Sequence, residues 1–285
     1  MRRMFLAGLI ILSACTGSRV AGRGFQTTSV PQVAQSNGDR INVAFSDASR
    51  PGLIKIHQVE GSIMIKAYDG KDVVIESKSG RRAANRRTDS STQGLRRIEN
   101  TSGGLTVEEE NNVISISTGF AGRNIELQVP SRTNLNVSTV NGGNVDIEGV
   151  DGEIEANNTN GRVTVTDVAG SVVAHSVNGS VTATLKRATA QKPMAFTSLN
   201  GKVDVTLPPD IKANVKMRTD NGEIYTDFDI QLKAAGANTT TEDSRSRGGK
   251  YRIEVDKTMT GTINGGGPDF EFRTFNGNVY IRKAK

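Results

Sequence analysis

One phrase constrains this chain more than any other: Asn-Gly followed by x-Val-x-Val. It occurs at Asn141-Gly142-Gly143-Asn144-Val145, Asn160-Gly161-Arg162-Val163, Asn178-Gly179-Ser180-Val181, Asn200-Gly201-Lys202-Val203, Asn221-Gly222-Glu223-Ile224 and Asn276-Gly277-Asn278-Val279. Aligned on Gly143, Gly161, Gly179, Gly201 and Gly222, the steps are 18, 18, 22 and 21 residues. A fixed period of this size marks a repeat architecture. After each Asn-Gly the chain alternates with period 2. Val145, Val163, Val181 and Val203 form one column, and Ile147, Val165, Ala183 and Val205 the next. Asp146, Thr164, Thr182 and Asp204 lie between them. β-branched residues on one face and polar residues on the other describe a half-buried strand.

A second strand fits inside each period, as in Gly152-Glu153-Ile154-Glu155-Ala156 and Gly170-Ser171-Val172-Val173-Ala174. The expectation is an all-β chain: a parallel β-solenoid with two short strands per coil of about 18–22 residues, in about ten coils. The crossover rule for parallel strands makes it right-handed. Asn-Gly supplies the corners, because Gly and Asn accept positive φ. An antiparallel meander or sandwich remains the alternative, since Asn-Gly is also a hairpin signal. The constant phase of the repeat favours parallel stacking.

The beginning of the chain is of another kind. Arg2 and Arg3 precede an apolar run, Met4 to Leu12, that is too short to span a bilayer. It reads as an export signal over 1–14, and Leu12-Ser13-Ala14-Cys15 resembles a bacterial lipobox, with Cys15 lipidated, as by palmitate, and becoming the first mature residue; plain secretion with cleavage after a nearby small residue is the alternative. Cys15 is the single cysteine, so no disulfide is expected. Residues 15–38 are a flexible tether rich in Gly, Ser, Thr and Gln. From 39 to 285 the strand pattern reads as one domain, interrupted by a basic insertion at about 78–98 and a loop at about 234–249. Leu105-Thr106-Val107 and Ile125-Glu126-Leu127 are strands between the insertion and the repeat.

The formal net charge is +6, but it is unevenly placed. Lys78, Arg81, Arg82, Arg86, Arg87, Arg96 and Arg97 face a single acid, Asp89, so the basic character belongs to one segment. The six arginines are candidate anion-binding residues for anionic lipid, glycan or an acidic envelope protein. An export signal removes the chain from most nucleic acid. The C-terminal third is rich in aromatics, Phe196, Tyr225, Phe228, Phe270, Phe272 and Tyr280 among them, which reads as a cap closing one end. A binding patch is the sharper alternative.

Catalytic chemistry finds little support. His57 and His175 are 118 positions apart with no metal-ligand spacing and no Cys pair. His175, two residues past Val173, reads as a strand histidine. No nucleophile elbow, phosphate loop or dinucleotide fingerprint is present. Gly265-Gly266-Gly267 is read as a loop. Asp146 and Asp204 are expected three coils apart, too far to act as a glycosidase pair. No cofactor, metal or catalytic residue is assigned.

The segments Gly61-Ser62-Ile63-Met64-Ile65-Lys66, Leu207-Pro208-Pro209, the Asn-Gly strands, and Arg273-Thr274-Phe275-Asn276-Gly277-Asn278-Val279-Tyr280-Ile281-Arg282 carry a resemblance. Over roughly residues 40–285 the chain is similar to the bacterial β-strand-repeat "putative adhesins", a domain of unknown function found on lipoproteins and membrane-anchored proteins. The resemblance implies a non-catalytic protein anchored at the cell envelope; Thr16, which is not an aspartate, resembles the lipoprotein pattern for sorting to the outer membrane in a Gram-negative host. It implies no site residues. Two functions stand open: a scaffold or adhesion-like interaction module, and a surface protein that binds or cleaves polysaccharide.

Overall fold

Alternating β-branched residues produce strands and nothing else. The computed structural model describes residues 40–79, 104–118, 122–188, 192–233, 239–243, 251–255 and 257–285, and contains no helix among them. All belong to one unit, Ser36–Lys285. The strands before the repeat are β1 (Arg40–Ala44), β2 (Gly52–Glu60), β3 (Ile63–Tyr68), β4 (Asp72–Ser79), β5 (Leu105–Glu110), β6 (Val113–Thr118) and β7 (Arg123–Pro130). The repeat supplies β8 (Thr133–Asn141), β9 (Val145–Glu148), β10 (Asp151–Asn158), β11 (Val163–Ser176), β12 (Val181–Ala188), β13 (Met194–Asn200), β14 (Val203–Leu207), β15 (Ala213–Asn221) and β16 (Ile224–Thr226). The remainder is β17 (Ile230–Leu232), β18 (Thr239–Asp243), β19 (Tyr251–Val255), β20 (Met259–Ile263), β21 (Asp269–Asn276) and β22 (Val279–Lys283).

Twenty strands join in one sheet of mixed orientation. Two runs of parallel pairing form its middle. The first is β6–β2–β8–β10–β11–β13–β21–β15. The second is β7–β3–β9–β11–β12–β14–β22–β16. They share β11, whose first residues pair in one run and last residues in the other. Antiparallel strands close both ends: β5 on β6, β4 on β7 and β1 on β4 at one, β20 on β15 and β17 on β20 at the other. The all-β expectation holds; purely parallel pairing does not. The parallel part has eight levels, not about ten.

The apolar columns lie where the alternation places them. Ile125, Ile63, Val145, Val163, Val181, Val203 and Val279 are in register and fully buried. The other run contributes Ile54, Leu135, Ile154, Val172 and Phe270. Each such side chain is worth about 1.5–3 kcal/mol of burial.

Sequence order fails as a guide to neighbours. β13–β14 and β15–β16 are consecutive in the chain, yet β21–β22 lies between them. In the same way β2–β3 lies between β6–β7 and β8–β9. The step from Gly201 to Gly222 therefore spans two levels, with Gly277 in the middle. Two aromatic residues of β21 are interior, not an end cap: Phe270 and Phe272 are fully buried, and Phe272 stacks on Phe196 at 5.6 Å, whereas Phe275 is exposed. Within the expected loop at 234–249, Thr239–Asp243 is a strand paired antiparallel with Tyr251–Val255, and the other residues of that stretch lie outside the described residues.

Candidate interaction surface

The Asn-Gly corners build a regular edge. A Cβ placed on Gly143, Gly161, Gly179, Gly201, Gly277 or Gly222 would collide with the corner carbonyl of the adjacent level. At Gly161, Gly179, Gly201 and Gly222 the backbone is not in the positive-φ region. Close approach, rather than left-handed geometry, demands glycine there. Gly277 combines both requirements, with φ of 149°.

Beside the glycines the asparagine amides form a ladder. Asn160 donates to Asn141 at 3.1 Å, Asn178 to Asn160 at 2.8 Å and Asn200 to Asn178 at 2.9 Å. Asn276 donates to Asn200 at 2.7 Å and Asn221 to Asn276 at 2.8 Å. One residue pair inward, short polar side chains satisfy the corner carbonyls. Ser176 donates to Gly161 O, Ser198 to Gly179 O, Thr274 to Gly201 O and Thr219 to Gly277 O, each at 2.8 Å. Asn158 donates to Gly143 O at 2.9 Å. These residues went unnoticed in the sequence, although the signal is present: Ser, Thr or Asn stands two positions before the asparagine of each repeat.

The outward column of the second run reads Asp146, Thr164, Thr182, Asp204, Tyr280 and Tyr225. Its last two members make an aromatic pair, 5.2 Å between centroids and 10° from parallel. Tyr225 is 46% exposed. The Arg282 guanidinium lies 5.0 Å from the Tyr280 centroid and the Lys202 ammonium 6.0 Å. Asp204 holds both cations, Arg282 at 2.8 Å and Lys202 at 3.0 Å. Asn278 donates to the Tyr280 hydroxyl at 3.1 Å, and the Tyr225 hydroxyl donates to Glu223. That acceptor pushes the Tyr225 phenol above its ordinary value. The result is a pair of rings fixed at their hydroxyls, with a guanidinium against one of them. Such a platform suits stacking with a flat or ring-shaped partner.

Along the corner, exposed Leu199 and Phe275 flank the asparagine ladder. On the other run, a groove of about 520 Å³ is lined by Val173, Ala195, Lys216, Lys233, Glu271 and Thr260.

Three aspartates, Asp204, Asp47 and Asp220, are displaced towards the anion. Burial tends to raise Asp204, but hydrogen bonds from Arg282 and Lys202 outweigh it and leave it below the usual range. Hydrogen bonding from Ser49 and Arg50 brings Asp47 to about 2. Arg218 lowers Asp220. A general acid at neutral pH needs the opposite displacement. Asp146 and Asp204 are separated by Thr164 and Thr182, three levels or about 14 Å.

His57 and His175 lie in one outward column with Ser138 and Asn157 between them. His175 Nδ1 is 2.7 Å from Thr197 Oγ1. Among the described residues no group of three or more His, Cys, Asp or Glu could hold a metal ion. Lys78, placed in the basic insertion by sequence, ends in β4 and bridges Glu126 at 2.7 Å. Cys15, Arg81, Arg82, Arg86, Arg87, Arg96 and Arg97 lie outside the described residues.

No protein-family model matches the chain, and no curated protein does. Among the solved structures similar to this chain are two described as adhesion proteins. One is described as a "putative cell adhesion protein" from Clostridium sporogenes ATCC 15579, with TM-score 0.43 and 10% identity over 86% of this chain and 99% of that one. The other is a "putative adhesin" from Bacteroides fragilis NCTC 9343, with TM-score 0.26 and 13% identity over 86% of this chain and 96% of that one.

Proposed function

We propose that this chain is an exported, lipid-anchored cell-envelope protein that acts as a non-catalytic interaction module. In this reading the parallel levels are the coils of a β-solenoid, closed at its ends by antiparallel strands, and serve as a rigid scaffold. Cys15 carries the lipid, in the outer membrane where the host has one. The partner is an envelope glycan, anionic lipid or envelope protein.

The Tyr225–Tyr280 stack, exposed at Tyr225 and half-buried at Tyr280, carries the reading. An aromatic pair held by hydroxyl hydrogen bonds, with one ring exposed, offers a preorganised contact surface. Arg81, Arg82, Arg86, Arg87, Arg96 and Arg97 add attraction to anionic surfaces, about 1 kcal/mol per cation near a membrane. Polysaccharide binding is the second reading, favoured by ring stacking beside Arg282. Against cleavage, Asp146 and Asp204 of the outward column stand about 14 Å apart, too far for a paired acid and base.

The test is binding of the full chain to isolated envelope fractions and purified surface polysaccharide. Tyr225→Ala with Tyr280→Ala should weaken binding at least tenfold while leaving the thermal melt nearly unchanged. Undiminished binding by the double variant, or release of saccharide fragments by the parent, would overturn the proposal. Fatty-acid labelling of the parent and of Cys15→Ala separately tests the anchor.

A further inference from the structure

We propose that residues 269–283 are an exchangeable insert, and that the slot they fill accepts the same residues from a second copy of this chain. The inference rests on the strand register and is independent of the partner read above.

The slot is made by residues that precede the insert. β13–β14 and β15–β16 are joined by only 208–212, yet they do not pair with each other. β21 bonds to β13 on one edge and β15 on the other, and β22 likewise bonds to β14 and β16. Without the insert, both runs have unpaired edges facing inward. Such edges are templates for another strand.

The occupant is specified by its side chains. Phe270, Phe272, Thr274, Val279 and Ile281 are all fully buried in the slot. Phe272 meets Phe196, Thr274 caps Gly201 O and Asn276 continues the amide ladder. Gly277 is required because a Cβ there would strike Gly201 O. A foreign segment must match all of these in sequence and spacing. A second copy matches them by identity, and exchange of identical elements preserves every contact.

The connector allows either outcome. Asn264, Gly265 and Gly266 have φ of 49°, 83° and 88°, a reversal that returns the insert to its own slot. Asn264 Nδ2 fastens it to Ile211 O at 2.7 Å, and Asn214 Nδ2 reaches Gly267 O at 2.7 Å. Extended instead, the five residues 264–268 span about 17 Å, enough to hand the insert to a neighbour. The intramolecular slot sees its insert at an effective concentration near the millimolar range, so exchange requires crowding or a connector that cannot turn back.

Register partners Ala195 and Glu271 provide the test. One full-length chain carries Ala195→Cys and another Glu271→Cys, both in a Cys15→Ser background. The two are unfolded, mixed at high concentration, refolded and oxidised. The expected product is a covalent heterodimer on a non-reducing gel. Deleting Gly265, Gly266 and Gly267 from both chains should raise its yield severalfold. A single chain bearing both cysteines reports that the slot forms at all. If that chain cross-links internally while the mixture gives no heterodimer with either connector, the proposal is wrong. Should the cysteines themselves prevent folding, refolded chains with intact and shortened connectors are compared by light scattering. A shift to dimer on shortening supports exchange, and a shortened monomer refutes it.

Discussion

Asn276 donates its side-chain amide to Asn200 at 2.7 Å, although 76 residues separate them. The next rung, Asn221 to Asn276, crosses 55 residues in the opposite sense along the chain. The corner ladder is thus continuous in space and reordered in sequence. Asn178 both donates to Asn160 and accepts from Asn200. Asn178→Ala breaks two rungs and should cost about 1–2 kcal/mol. Asn157→Ala, which loses one exposed contact to Glu155, should cost less than about 0.5. Urea denaturation of the two variants measures the difference.

The glycine column makes a second prediction. Gly161→Ala drives a methyl into the Gly143 carbonyl, and backbone on both sides must move. A loss of several kcal/mol is expected, in the range of severe overpacking. Gly142→Ala has open space around the new Cβ but keeps a φ of 77°, so strain alone of about 1 kcal/mol should appear. Equal melting temperatures for the two would show that close approach is not what selects glycine at the corner.

Asp204 predicts an acid limb. Its folded pKa lies below its unfolded value of about 3.9. The ion pairs with Arg282 and Lys202 therefore stabilise fully above that unfolded value, and the contribution is lost as pH falls through the folded pKa. Asp204→Asn should be less stable than the parent at pH 7, and the gap should close below about pH 4. A gap that is constant from pH 7 to pH 2 would remove the carboxylate from the account.

The contrast between Val163 and Thr274 shows what the sequence discloses. Val163 is legible because alternation alone assigns it to the buried face, and its partners Val145 and Val181 follow from a constant step of 18. Thr274 is equally buried, but as a polar residue it looks like surface until its acceptor, Gly201 O, is known. That acceptor is remote in sequence. A repeat fixes phase, because each unit makes the same corner, but it does not fix which unit stacks on which. The step of 21 from Gly201 to Gly222 looks consecutive for this reason, while the space between is occupied by Gly277. The Tyr225–Tyr280 pair was legible only as a shared outward column; their stacking depends on the same reordering. His175 was rightly read as a strand residue, with Thr197 as its unforeseen neighbour.

The stacking order itself is the claim on which the rest depends, and disulfide trapping tests it directly. Thr197 is the register partner of Arg273, which in turn partners Arg218. Adjacent strands lie about 4.8 Å apart, so Thr197 and Arg218 are roughly 10 Å apart, beyond the ~7 Å that a disulfide tolerates. In a Cys15→Ser background, Thr197→Cys with Arg273→Cys should oxidise to an internally linked chain. Thr197→Cys with Arg218→Cys should remain reduced under the same conditions. The reverse result, linkage of 197 to 218 and none to 273, would restore stacking in sequence order and contradict the account.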